Sequence, residues 1–582
     1  MKSLLILFTS ISIALCSAAD NTLFICKNSD GLTIATDSSA DALCKKKEAK
    51  ALYRNEINET GWAYLEMSIL DKQMDMLDQG YVMGYTEGRL TQKLITYHIN
   101  NMIKPYCKGN KEYCNKLFAY LETNFNWTMN QIKQNPSSTY WKQVHMTIRQ
   151  IQGIIDGYSG IISEKLPSKD IVRHPIYMLQ WLGDFMDLEK KFDKKDGPIK
   201  TGKTHCSAIV KLLPDFSDIL FSHVTWFTYA SMTRIQKKYS FALDIPGHTY
   251  SFSGYPGTVN SIDDFLISSA KLAILETTIE LHNEKLYKFM IPESLPTYLR
   301  TQIATRAANN GSTWVQTFSK YNSGTYNNQF VVLDYKLFKK GERTQTLGLL
   351  TVMEQMPSHI ARADKSHQLF ETTYWPSYNR AYFPDIFNIS GATHMVQQFG
   401  DWYSYDHAPR ANIFRRDHHF VVDLVTLIKL MRSNNYKTDE FSHCHECDPP
   451  YSAESAISAR GDLNDPDGFY PIADRGFLDM GATDVKVTNA ELMEKFQFAA
   501  ISGPTNYPTP VFNWNTSLFR DTVAHEGQPT VWRFPTVTHE WQFSRDDVDS
   551  KPSEEPRMEG FLAHAYRVFN PLINFFYCYK TC

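Results

Sequence analysis

In the segment Gly202–Trp226, GKTHCSAIVKLLPDFSDILFSHVTW, one cysteine stands between a polar stretch and an apolar run. The chain carries ten cysteines, of which Cys16 lies in a leader described below. Cys26 with Cys44, Cys107 with Cys114, Cys444 with Cys447 and Cys578 with Cys582 are sequence-local pairs, as expected of disulfides formed in an oxidising compartment. Cys206 is left over. A plain reading is a buried thiol acting as a small hydrophobe. The other reading is a nucleophile. Its thiol would attack the carbonyl of the His205–Cys206 peptide bond, an N-to-S acyl shift would give a thioester, and water would release a new amino terminus at Cys206. The freed α-amine titrates at about 7.7 to 8.0 in reference peptides, so it can serve as general base for the thiol beside it. One residue then supplies nucleophile and base.

The elements around Cys206 suit that placement. Ser207 to Leu213 and Asp218 to Thr225 are short runs rich in Ile, Val, Leu and Phe joined by PDFS, which predicts a hairpin. TYSFSGYPGTVNS, LAILETTIEL, NQFVVLDYKLF and TLGLLTVMEQMP read as further strands, with helices mixed among them. Before the cysteine, LYRNEINETGWAYLEMSI, MGYTEGRLTQKLITYHINNMI and YWKQVHMTIRQIQGIIDGY space apolar residues three and four apart, which predicts helices. Between Asp187 and His205, DLEKKFDKKDGPIKTGKTH is charged and holds Gly197, Pro198 and Gly202, so it reads as an exposed linker. The expected plan is a leader at 1–19, a helical chain at 20–190, a linker at 191–205 cut on maturation, and a core at 206–582 that begins at the nucleophile. The class is α+β, layered helices and sheets.

Composition narrows the function. Hydrophobic residues make up 43% of the 582, enough for a large core. With a formal charge of -3 and no basic run interleaved with aromatics, nucleic acid is not an expected partner. Lys2, the apolar stretch Leu4 to Leu15 and the small residues Ser17, Ala18 and Ala19 are laid out as a cleaved secretory signal, with a mature start near Asp20. That stretch is shorter than the roughly 18 apolar residues a membrane helix needs, and no later segment approaches that length. Asn58, Asn126, Asn310, Asn388 and Asn515 each sit in N-x-S/T, so a glycoprotein is expected, secreted or lysosomal. The Cys578–Cys582 end has no KDEL-type signal and makes a poor GPI signal.

Other motifs carry less. HCHEC at His443 to Cys447 is one CxxC without a second pair, and a local disulfide explains it better than zinc. No metal and no cofactor are expected. There is no G-x-S-x-G elbow, and Cys206 lacks the setting of papain-like enzymes.

HCSAIVKLLPDFSDILFSHVTW with MTRIQKKYSF resembles the core motif of the phospholipase B-like proteins, N-terminal nucleophile hydrolases of secretory and lysosomal compartments. The likeness continues through SGYPGTVNSIDDF, LETTI, NSGTYNNQFVVLDY, ADKSHQLFETTYWPSYN, GDWYSYDHAPRANIFRR, AISARGDLN, DVKVT and SGPT, and is looser before Thr204. Within it, RGD at Arg460 to Asp462 reads as accidental rather than as an integrin motif. The resemblance implies a four-layer αββα core, two chains that stay together after cleavage, and hydrolysis of acyl esters or amides. It implies Cys206 as nucleophile, with His223, Trp226, Thr278, Asn379 and Arg410 as the other site residues. As roles, Asn379 is expected to donate to the oxyanion, Thr278 to orient the α-amine, Arg410 to favour the thiolate or hold a substrate oxygen, and His223 to position the thiol before cleavage. Plainer readings are core packing for Trp226, an ion pair for Arg410, and ordinary strand and turn roles for His223 and Asn379. The expected substrate is a glycerophospholipid. The alternatives are an amidase on N-acylated lipids or peptides, and a lipid-binding glycoprotein without turnover.

Overall fold

The computed structural model describes residues 22–28, 31–162, 167–195, 205–262, 265–343 and 346–543. The chain to Gln542 forms one compact unit, and Phe543 is the one described residue of a second unit, Phe543–Cys582. The leader at 1–19, most of the linker (196–204) and the Cys578/Cys582 pair lie outside the described residues.

The strands in chain order begin with β1 (Leu23–Asn28), β2 (Gly31–Thr36), β3 (Lys47–Glu56) and β4 (Trp62–Ile69). After a helical stretch come β5 (His205–Leu212), β6 (Ile219–Thr228), β7 (Arg234–Ser240), β8 (Thr249–Gly254), β9 (Leu266–Ser268) and β10 (Leu272–Thr278). Then follow β11 (Asn328–Asp334), β12 (Leu350–Met356), β13 (His359–Asp364) and β14 (Tyr374–Ser377). The last are β15 (Met480–Ala482), β16 (Asp484–Thr488), β17 (Ala499–Ser502), β18 (Phe512–Asn513), β19 (Val531–Trp532) and β20 (Val537–Thr538). An eleven-stranded sheet runs β13-β12-β11-β10-β9-β8-β7-β4-β3-β1-β2. A second sheet runs β14-β5-β6-β16-β17-β20, with β15 also on β6, and β18 pairs with β19. Helices and sheets are mixed, so the α+β class holds.

Alternation along β5 and β6 sorts their side chains into two cores. Ala208, Val210, Leu212, Ile219 and Phe221 pack with Ala273, Leu275, Val331 and Leu333 of the larger sheet. On the opposite face Ile209, Leu220, Val224 and Trp226 pack with Ala411 and Phe414 of helix Pro409–Asp417 and Leu427 of helix Leu424–Met431. The far face of the larger sheet buries Ile235, Phe252 and Ile274 with Val82, Ala304 and Trp314, which lie on helices Met76–Leu90, Thr297–Ala307 and Gly311–Phe318.

The hairpin and the strands around LAILETT, NQFVVLD and LTVMEQM are as expected, and so are helices Met76–Leu90 and Thr139–Ser159. Two expectations fail. LYRNEINETGWAYLEMSI is not one helix: it is the end of β3, a single turn at Ile57–Thr60, and β4. All of β4 is buried, so its sequence loses the two-residue alternation that marks a half-exposed strand. The break falls at Gly61, which has φ 80 and where a Cβ would come within 2.4 Å of Ser502 Cβ. Residues 23–69 therefore add four strands to the larger sheet, with one short helix, Asp37–Leu43, between the second and third. The start of the supposed linker is also wrong, because Asp187 to Lys191 complete helix Leu182–Lys191. Its charges have partners remote in sequence: Asp187 accepts from Asn327 Nδ2 at 3.0 Å and Lys190 pairs with Glu280 at 3.2 Å.

Candidate active site

Cys206 is the second residue of β5 and is 3% exposed. It is the free cysteine among the described residues; Cys26–Cys44, Cys107–Cys114 and Cys444–Cys447 are disulfides as expected, which accounts for HCHEC. Register places Cys206 opposite Thr225, and Ala208 opposite His223, on β6. Strand β14 pairs Ser377 with Ala208 and then ends, so the chain beyond it runs past the start of β5. Asn379 sits there at φ 65, a left-handed conformation that asparagine tolerates better than most residues.

Asn379 ties the site together. The backbone N–H of Cys206 donates to its Oδ1 at 2.9 Å, and its Nδ2 donates to the Thr278 carbonyl at 2.8 Å. Both partners are backbone groups with one possible role each, which fixes the amide's orientation. Asn379 therefore offers Cys206 an acceptor, and one N–H of its NH2 goes to Thr278. The same NH2 keeps a second N–H, the group the expected oxyanion role calls for. Thr278 meets Asn379 through its backbone carbonyl.

His223 is fully buried, and its Nε2 donates to the Glu276 carbonyl at 2.9 Å. The sulfur of Cys206, a ring nitrogen of His223 and a carboxylate oxygen of Glu276 lie within 4.8 Å of one another. Glu276, also fully buried, accepts from the Tyr326 hydroxyl at 2.8 Å. The sequence reading missed it. The available signal was a carboxylate inside the apolar strand LAILETT, where a charge needs a partner. Thiolate, imidazole and carboxylate are the donors zinc takes, so these three residues are the described set able to hold such an ion.

Trp226 is not at the thiol. It lies on the other face of β6, where the Arg410 guanidinium covers its ring at 4.3 Å. Arg410 in turn donates through one terminal nitrogen to the Cys206 carbonyl at 2.5 Å and to Ser207 Oγ at 3.3 Å. Burial pulls the Arg410 pKa down to about 9, helped by the charge of Arg380 and opposed by the Cys206 sulfur. Arg410 thus links Trp226 to the Cys206 carbonyl.

Behind Thr225 lies a buried charge cluster. Asp484 Oδ1 accepts from Thr225 N–H at 3.1 Å and from Lys486 at 2.8 Å, while Oδ2 pairs with Arg234 at 2.6 Å. Lys486 also donates to the Thr225 hydroxyl at 2.5 Å. The cluster holds the strand that faces Cys206. The RGD triplet is internal: Arg460 is buried and paired with Asp462, which also accepts from Tyr229.

The family described as Phospholipase B matches residues 49–539. Putative phospholipase B-like 1 of Caenorhabditis elegans is 48% identical over 508 residues, covering 86% of this chain and 89% of that protein. The human putative phospholipase B-like 2 is 40% identical over 84% of this chain and 85% of its own length. Phospholipase B-like 1 of Rattus norvegicus is 36% identical over 85% and 88%. The chain belongs to the phospholipase B family.

Proposed function

We propose that the protein is an acyl hydrolase of the N-terminal nucleophile type, with a four-layer αββα core, which removes fatty acyl chains from glycerophospholipids through a thioester at Cys206. The observation that carries the reading is the bond from Cys206 N–H to Asn379 Oδ1: the one described cysteine outside a disulfide has its own nitrogen held by a fixed acceptor. Names of the family's relatives supply the substrate class.

In maturation, the thiol adds to the His205 carbonyl, the C–N bond breaks, and the nitrogen keeps the proton the sulfur gave up. Water then hydrolyses the thioester, leaving a carboxylate on His205 and a free amine and thiol on Cys206. In turnover, the amine takes the thiol proton and the sulfur attacks the acyl carbonyl. The ammonium returns that proton to the departing alkoxide, and water attacking the acyl thioester through the same amine releases the fatty acid. Asn379 orients the amine by accepting one of its N–H bonds. Arg410 favours the thiolate by its charge. His223 positions the thiol for the first step.

The three disulfides suit an oxidising, secretory route, and no described helix is long and apolar enough to cross a membrane. The leader at 1–19 and the sequons extend this to a secreted or lysosomal glycoprotein; Asn58, Asn126, Asn388 and Asn515 are exposed and Asn310 is partly so.

N-terminal sequencing of the secreted protein's chains, followed by incubation with matched ester and amide lipids, tests the reading. A chain that begins at Cys206, absent from Cys206→Ala, and fatty acid release from the ester are expected. Release from the amide alone makes the protein an amidase. An uncut chain that binds lipid without release makes it a binding protein.

A further inference from the structure

Arg380 follows Asn379 directly and is buried, with 7% exposure, as is Arg410 at 5%. Neither guanidinium has a carboxylate within ion-pairing distance, and every hydrogen bond they make goes to a neutral oxygen. Arg380 donates to the Trp402 carbonyl at 2.7 and 3.0 Å and to the Asn379 carbonyl at 2.9 Å. Arg410 donates to the Cys206 carbonyl and Ser207 Oγ. Glu280, Asp474 and Glu454 act on the pair only from beyond contact. Burial lowers the pKa of both guanidiniums, and Arg380 adds to the effect on Arg410.

Two buried, mutually repelling cations are costly unless something neutralises them. They line one small pocket, open to solvent, with Tyr378, Trp402, Ala408 and Pro409. Ala408 and Pro409 begin helix Pro409–Asp417, so the positive end of a helix dipole also faces the pocket. The pocket adjoins the Cys206 carbonyl through Arg410. Planar guanidiniums favour oxyanions that accept two donors, phosphate above all.

We infer that this pocket is an anion subsite, in which Arg380 and Arg410 hold a phosphate or similar oxyanion of the acyl substrate while its carbonyl lies at Cys206. The inference rests on the proposed hydrolase reading and sharpens its substrate: a monoacylglycerol, lacking the anion, is a poorer substrate than a lysophospholipid with the same acyl chain.

The test uses the mature protein and two readouts. In calorimetry, decyl phosphate, decanol and inorganic phosphate are compared as ligands of the wild type, Arg380→Gln and Arg380→Lys. Decyl phosphate is expected to bind at least tenfold more tightly than decanol or inorganic phosphate, and Arg380→Gln to erase that advantage. In turnover, the kcat/KM ratio of lysophospholipid to monoacylglycerol is expected to fall at least tenfold in Arg380→Gln, chiefly through KM. Equal binding of decyl phosphate and decanol overturns the subsite, and equal binding of inorganic and decyl phosphate makes it a free-phosphate site instead. If Arg380→Gln fails to fold, the wild-type comparison decides alone. Lipid release that persists in Cys206→Ala sinks the hydrolase reading without touching the binding result.

Discussion

The nitrogen of Cys206 and the side-chain oxygen of Asn379 are 2.9 Å apart, across 173 residues of sequence. In an uncut chain that nitrogen is an amide. In the proposed cleaved form it is an amine, and the same oxygen then decides where its lone pair points.

Asn379→Gly removes the side chain while suiting the φ of 65, so it isolates the acceptor from backbone strain. General-base assistance contributes typically 10²–10⁴-fold, and misdirecting the amine forfeits a share of it. A fall in kcat of about 10²-fold, with a smaller change in KM, is expected from single-turnover fatty acid release. An unchanged kcat in a fully cleaved variant would remove Asn379 from the mechanism.

Asp484→Asn tests the charge cluster behind Thr225. Arg234, Asp484 and Lys486 are all fully buried, so the substitution leaves two cations without their carboxylate. Breaking such a pair by removing one partner costs about 3–5 kcal/mol. Urea unfolding is expected to move by that amount, with lost activity where the β6 side of the site loosens. A loss well under 1 kcal/mol would mean that the cluster is hydrated in solution.

Glu354 gives stability a pH dependence of definite sign. Burial raises its pKa from 4.5 to about 7, against the opposing hydrogen bonds from Tyr382 N–H, Gln329 and Phe383 N–H. Between those values the folded chain binds the extra proton, so this contribution is fully present below about pH 4.5 and is lost as pH climbs through 7. Glu354→Gln lacks that slope. Melting temperatures at pH 4.5 and 7.5 should show the variant gaining on the wild type as pH rises; a constant gap would refute the assignment.

Sequence legibility followed the range of the interactions. The hairpin at Cys206 was readable because alternation and the PDFS turn are local, and the three described disulfides because their cysteines are near neighbours. The strand at Trp62–Ile69 was not, since burial on both faces erases its period. Nor was helix Leu182–Lys191, whose charges are answered by Asn327 and Glu280, far along the chain. The site residues came from resemblance, and that route passed over Glu276 and over the acceptor role Asn379 plays toward the Cys206 nitrogen.

Gly84→Ala inverts a general rule. In a helix interior alanine is favoured over glycine by about 1 kcal/mol. Here helix Met76–Leu90 lies so close on helix Thr139–Ser159 that a Cβ at Gly84 would fall 1.9 Å from the Gln150 carbonyl oxygen. Gly88 and Gly157 are equally confined, at 2.1 Å from the Ile154 oxygen and 2.2 Å from the Tyr85 oxygen. These contacting atoms are backbone, which cannot rotate aside, so the helices must separate or shift. Overpacking of this kind costs about 1–3 kcal/mol, more than the propensity gain. Since Val82 and Met83 of the first helix pack into the core on the larger sheet, separation also loosens that face. A lower melting temperature with unchanged helix content by circular dichroism is expected, whereas a stabilised variant would show that the helix pair has room the packing denies.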